Sequence, residues 1–252
     1  MFIDTHLHFS KKYYDNLNEL YNQTKEQNII KLITCGYDKN TINEIDELTN
    51  KYRNVYASVG FHPSEKNIND NDINNLEKII LNNKKIVAIG EIGLDYYYYK
   101  DDKTKEKQKS LFIKQLNLAA KLNMPVIIHM REATNDMIEI LSAYDLRGII
   151  HCFSGSYETA KRFNELGYKL GIGGVITYNN SNLSKTIEKL DLKSIVLETD
   201  SPYLSPHPLR GKQNTPLNII YIANKIAEIK KTDIEEVAKI TTNNACDLFD
   251  LG

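Results

Sequence analysis

Eight times in 252 residues this sequence passes from a short apolar, β-branched run into a longer segment whose apolar residues recur at helical spacing. That alternation restricts the fold more than any other feature. The apolar runs at residues 1–8, 29–36, 55–60, 86–90, 125–129, 148–151, 168–175 and 194–200 are expected to be strands. Helices are expected between them at residues 14–27, 41–52, 72–81, 104–122, 132–143, 157–166 and 183–190. Two more, at 217–229 and 234–249, end the chain. Strand-then-helix units without a composition break imply parallel strands joined by crossover helices. Eight of them in about 250 residues suit one closed ring, so the expected architecture is an α/β (β/α)8 TIM barrel, with residues 1–252 forming a single domain. An open doubly wound sheet is the competing arrangement, but no glycine-rich phosphate loop follows the first strand.

In such a barrel chemistry collects at the carboxyl ends of the strands. Four of the six histidines fall at expected strand ends: His6 and His8 on the first strand, His129 on the fifth and His151 on the sixth. His62 lies just past the third strand, and only His207 falls in a clear loop. Histidines scattered as core or surface residues would land mostly on helices and loops, so the placement points to ligands. His6 and His8 share one strand face, with Asp4 one step below, because side chains two apart point the same way. Glu91 follows the fourth strand and Asp200 ends the eighth; strand-end capping or ion pairing is their plainer role.

Four imidazoles with two carboxylates suit a pair of divalent ions such as Zn, Mn, Co or Ni, whereas Mg alone prefers mostly oxygen. The expected arrangement gives His6, His8 and Asp200 to one ion and His129 and His151 to the other, with Glu91 between them. Cys35, Cys152 and Cys246 have no zinc-finger spacing and form no disulfide framework, and Cys152 is read as packing.

These residues lie in stretches that resemble the TatD-like metal-dependent hydrolases and deoxyribonucleases of the amidohydrolase-type barrels. The matching stretches are Asp4-Thr5-His6-Leu7-His8, Gly60-Phe61-His62-Pro63, the segment from Ile89 to Tyr96, Pro125 to Arg131, His151-Cys152-Phe153-Ser154-Gly155, and Leu197 to Leu204. Thr241 to Ala245 is similar to the closing helix of that family. Any one stretch is weak; six in register across the chain are specific. The resemblance implies a TIM-type barrel, a divalent-metal centre on the six residues already chosen, and hydrolysis of DNA phosphodiesters. Thr215 departs from the pattern, because an acidic residue is more usual there, and this puts a loop contact in doubt.

The expected mechanism has a water shared by the two ions ionise near neutral pH and attack phosphorus, with Asp200 and Glu91 as the catalytic carboxylates and Asp200 taking the proton. His62, Arg131, Ser154 and Arg210 are the candidates for substrate oxygens, arginine being the natural bidentate partner of phosphate; a structural ion pair is the plainer role of either arginine. The run from Tyr96 to Tyr99 has two readings: a platform for unpaired bases, or a packed lid with one ring stacking at most, which is favoured.

A formal charge of -1 offers no basic field to hold nucleic acid nonspecifically, so a single-stranded or terminal DNA substrate, held locally, is expected. No apolar run reaches the ~18 residues that span a bilayer, and the first residues read as strand instead of signal peptide. A cytoplasmic protein without membrane association or an obligate protein partner is expected. Two other functions fit the same residues: hydrolysis of a small amide, lactone or phosphoester, and noncatalytic metal binding by a scaffold.

Overall fold

The computed structural model describes all 252 residues. Eight parallel strands follow one another in the order of the chain: β1 (Phe2–Leu7), β2 (Ile29–Gly36), β3 (Val55–Val59), β4 (Ile86–Asp95), β5 (Val126–Arg131), β6 (Gly148–Ile150), β7 (Tyr168–Ile172) and β8 (Ile195–Leu197). Helices α1 (Leu17–Glu26), α2 (Lys39–Lys51), α3 (Asp70–Asn82), α4 (Asp102–Leu122), α5 (Thr134–Leu141), α6 (Tyr157–Glu165) and α7 (Leu183–Lys189) connect them, and α8 (Ile219–Lys230) and α9 (Ile234–Phe249) follow β8. The chain is a single (β/α)8 TIM barrel. The last junction is made beyond the regular strands: Asp200 N donates to His6 O at 3.0 Å and His8 N to Ser201 O at 2.8 Å. Thr5 Oγ1 adds a bond to Leu197 O at 2.9 Å. No helix is long and apolar enough to cross a membrane.

Two apolar layers hold the ring. The larger lies between strands and helices and contains Leu32, Val55, Ile89, Phe112, Leu116, Ile128, Phe163 and Ile226, all buried. The smaller gathers Ile3, Ile33, Ala88, Ile127, Ile149 and Val196 from six strands, with Ala245, Leu248 and Phe249 of α9 against them. Residues from six strands meet only inside the barrel, so this cluster is its floor and α9 is the plug. With a period of two along a strand, His129 stands above Ile127, while His151, Glu198 and Asp200 lie just past the carboxyl ends of β6 and β8.

Glu91 and His6 do not follow from that period, since each lies three residues past its floor residue, Ala88 or Ile3. Both sit at register breaks, between Gly90 and Ile92 on β4 and between Asp4 and Leu7 on β1. A break of this kind turns a side chain to the other face.

Four expected boundaries are corrected. β4 continues to Asp95, so Glu91 lies inside the strand and does not follow it. Gly93 makes this possible: with φ +147° it passes so close to β5 that a Cβ would stand 2.0 Å from His129 O. β5 likewise runs on to Arg131. β7 stops at Ile172, and residues Gly174–Thr177 form a 3-10 turn instead of more strand. β8 stops at Leu197, leaving Asp200 three residues beyond it at φ 52° and not at its end.

Candidate metal centre

Above the floor, side chains from different strands converge on Glu91. Its Oε1 is 2.7 Å from His129 Nδ1, 3.0 Å from His151 Nε2 and 3.6 Å from His62 Nε2, and its Oε2 is 3.7 Å from His6 Nε2. Asp200 faces the other side, with Oδ1 3.6 Å from His6 Nε2 and 3.5 Å from His8 Nε2. All six expected ligands therefore meet, although they come from distant parts of the chain.

Overlapping sets of these donors come within reach of a common point. Donor atoms of His6, His151 and Asp200 lie within 4.8 Å of one another, and so do those of His62, Glu91 and His129. His151 stands beside His6, the ring centroids being 4.1 Å apart, and its Nε2 faces the same Glu91 oxygen as His129, while His62 joins the donors around Glu91. Cys35, which no sequence argument placed here, forms a third such group with His6 and Glu91. Burial raises its thiol well above the usual range and keeps it protonated.

The cluster has the chemistry of a cation site. Neither ring nitrogen of His6 has a hydrogen-bond partner although the residue is wholly buried, and Nδ1 of His8 is also without one. An unpartnered buried polar atom costs about 1–3 kcal/mol, and a divalent ion at His6 Nε2, which faces both Glu91 and Asp200, would satisfy one. Burial holds the His6 imidazole far below its usual pKa, so it is neutral, as a ligand must be; burial likewise lowers His62 to about 4. Burial alone would raise the Glu91 carboxyl, but the surrounding His151, His62 and His129 outweigh it and keep the group ionised. Burial would lower His151, yet the Glu91 and Glu198 carboxylates outweigh it and raise this imidazole well above its usual value. The potential that draws a proton there also favours a cation.

A second layer of carboxylates holds the imidazoles. Asp95 Oδ2 is 3.2 Å from His129 Nε2, and Glu198 Oε1 is 3.4 Å from His151 Nδ1. Such outer partners fix the tautomer and orientation of a ligating ring. Asp95 is held in turn by Gln108, which accepts from Asp95 N at 2.9 Å and donates to Asp95 O at 3.1 Å. Asp4, below His6, accepts from Thr199 N at 3.0 Å and Thr199 Oγ1 at 2.6 Å, tying β1 to the segment after β8; burial pushes its carboxyl up to about 8. Asp95 and Glu198 lie inside recognisable motifs without a role drawn from the sequence. The available signal was period two: Asp95 is four past Glu91 on the same strand, and Glu198 two before Asp200.

The remaining candidates stand at the rim. Half-buried His62 has Nδ1 2.7 Å from Ser64 Oγ. Arg131, exposed at the end of β5, places its guanidinium carbon 3.9 Å from the centroid of the Tyr97 ring. Arg210 is exposed on the loop after β8, 4.1 Å over Tyr178. Neither arginine is in an ion pair, so the plainer role considered for them is not the one they have. Ser154 is exposed three residues past His151. The tyrosine run splits: Tyr96 and Tyr99 are half-buried, while Tyr97 and Tyr98 are exposed. An aromatic group from three separate segments surrounds His8. Tyr37, Tyr203 and Tyr13 have ring centroids 5.1, 5.5 and 6.0 Å from it, and Lys12 Nζ donates to Tyr37 OH at 2.9 Å.

Comparison with known proteins agrees with this architecture. The family model described as TatD related DNase matches residues 3–250. A Bacillus subtilis protein described as the uncharacterized metal-dependent hydrolase YabD is 38% identical over 255 residues, covering 99% of each chain. The crystal structure of YjjV, a TatD homolog from Escherichia coli, superposes with a TM-score of 0.93 at 31% identity, covering 100% of this chain and 98% of that one. A TatD family hydrolase from Entamoeba histolytica, at 23% identity and a TM-score of 0.84, shares the fold over 98% of this chain and 97% of its own. With the family model spanning nearly every residue and close relatives of the same length, the chain belongs to the TatD-related family and is a metal-dependent hydrolase.

Proposed function

We propose that this hydrolase is a deoxyribonuclease that cleaves phosphodiester bonds in single-stranded or terminal DNA, using two divalent ions held by His6, His8, Glu91, His129, His151 and Asp200. The observation that carries the reading is Glu91: one buried carboxylate within 2.7–3.7 Å of four imidazoles, with Asp200 facing His6 from the opposite side. One carboxylate facing two sets of donors is suited to being shared. Bound there, divalent ions supply Lewis acidity, lowering the pKa of a coordinated water and offsetting charge on phosphoryl oxygens.

The chain's own groups do the rest. Asp200 is the proton acceptor: its carboxylate takes the proton of the attacking water and passes it to the leaving oxygen. Its Oδ1 faces His6 and His8, and its backbone is fixed by the bond to His6 O. Arg131 and Arg210, free of carboxylate partners, bind the phosphates flanking the scissile bond, with His62 and Ser154 supplying further polar contacts. The near-neutral charge of the whole chain leaves these local contacts to hold the substrate.

The test is elemental analysis of protein purified without chelator, followed by stripping and re-addition of Mg, Mn, Co, Zn or Ni. Release of nucleotides from a short single strand is then measured beside a lactone and a simple phosphoester. Two equivalents of metal and metal-restored cleavage of the strand are expected. Turnover confined to the lactone or the simple ester would replace the nuclease reading with small-molecule hydrolysis, and stoichiometric metal with no turnover would point to a scaffold.

A further inference from the structure

Tyr97 and Tyr98 are the exposed half of the four-tyrosine run, and burial does not account for them. Tyr96 donates to Asp136 Oδ2 at 2.7 Å and packs against the outer apolar layer, and Tyr99 is half-buried on the wall of a cavity of about 390 Å³. Tyr97 and Tyr98 are instead 42% and 66% exposed, and their hydroxyls make no hydrogen bond. Their rings stand edge to face, 4.8 Å apart at 86°. The Arg131 guanidinium carbon lies 3.9 Å from the Tyr97 centroid and 4.9 Å from that of Tyr98. Arg147 and Arg162 pair with Asp250 and Glu165, whereas Arg131 has no carboxylate.

The backbone of this pair is tied to the metal centre. Tyr97 N and Tyr98 N donate to Asp95 Oδ1 at 3.0 and 3.2 Å, while Asp95 Oδ2 faces His129 Nε2 at 3.2 Å. One carboxylate therefore fixes a ligand imidazole with one oxygen and the turn carrying two bare aromatic rings with the other. Exposed rings that contribute little to the fold, beside an unpaired guanidinium and in fixed register with the reacting centre, have the chemistry of a base platform. Every nucleobase has a π-face, and both aromatic rings and arginine planes stack on it.

We propose that Tyr97, Tyr98 and Arg131 form a stacking subsite for an unpaired nucleobase adjacent to the scissile phosphodiester. The assignment rests on the nuclease reading above and gives it a reason to favour single strands, because bases in a duplex already stack on one another and offer no free face.

The experiment compares a labelled single-stranded deoxyoligonucleotide with the same strand made abasic at the nucleotides flanking the cleaved bond. Binding is followed by fluorescence anisotropy with chelator present, which silences hydrolysis, and kcat/KM is measured with metal restored. The double variant Tyr97→Ala/Tyr98→Ala should bind the base-bearing strand at least about fivefold more weakly than wild type. The ratio of kcat/KM for the base-bearing strand to that for the abasic strand should fall by a similar factor. Tyr97→Phe/Tyr98→Phe keeps the rings and should keep both values. Unchanged binding in the alanine variant, or wild-type protein that binds the abasic strand as well as the base-bearing one, overturns the proposal. Failure of the nuclease reading looks different: metal-loaded wild type would cleave no oligonucleotide, while the binding comparison would still decide whether the rings stack a base.

Discussion

Gly171 of β7 leaves the space that the Glu198 carboxylate occupies: a Cβ there would stand 2.1 Å from Glu198 Oε2. Glu198 in turn faces His151 Nδ1 at 3.4 Å and accepts a bond from Cys152 N. A missing methyl group on one strand thus sets the orientation of an imidazole on the loop after another. Gly171→Ala is expected to force Glu198 aside, costing about 1–3 kcal/mol of stability as an overpacked site and loosening His151. Thermal denaturation and metal content of the purified variant check this; a variant matching wild type in both would show that Glu198 has room to move.

Asp200→Asn keeps the size of the side chain and removes its proton affinity. Turnover is expected to fall by about 10²–10⁴-fold while the far-ultraviolet circular dichroism stays that of wild type. Steady-state kinetics with saturating metal decide it, and wild-type turnover in this variant would remove Asp200 from the proposed chemistry.

Asp95→Asn should act through His129. The amide no longer provides the negative charge that orients the ring, and loss of such an outer partner typically weakens metal binding by about 10–100-fold. Competition with a chelator of known affinity reads the change directly. Equal affinity in variant and wild type would limit Asp95 to holding the tyrosine turn.

Metal removal should lower stability without unfolding the barrel, since the floor around Ile127 and the outer apolar layer do not depend on an ion. Ions at about 100 times their dissociation constant add about 2.7 kcal/mol per site. In a protein of this size each kcal/mol shifts Tm by about 2–4 °C, so chelation should lower Tm by several degrees. Differential scanning calorimetry with and without chelator tests this, and coincident transitions would argue against ion binding at the centre.

The strand and helix alternation was legible because period-two and period-3.6 apolar patterns are local consequences of burying one face. β2 and α9 run over the same residues that the pattern indicates. The strand-end histidines were legible for the same reason: parallel strands deliver their last residues to one rim. The pattern puts Glu91 after its strand instead of within it, because the run of strand-forming residues is interrupted by Gly90 and Gly93. The close approach that makes those glycines part of β4 is visible only with β5 beside it.

By itself, then, the amino-acid order determined which elements form, their sequence around the ring, and which residues reach the rim. Only the tertiary structure brought His151 beside both His6 and the Glu91 oxygen that faces His129, set His62 beside Glu91, and put Asp95 and Glu198 behind the rings. It also separated the exposed rings of Tyr97 and Tyr98 from the half-buried ones of Tyr96 and Tyr99. Periodicity reports the face of a residue on its own strand. Distances between strands depend on register breaks, missing Cβ atoms and bonds such as Asp4 to Thr199 across 195 residues, and none of these is a local property of the chain.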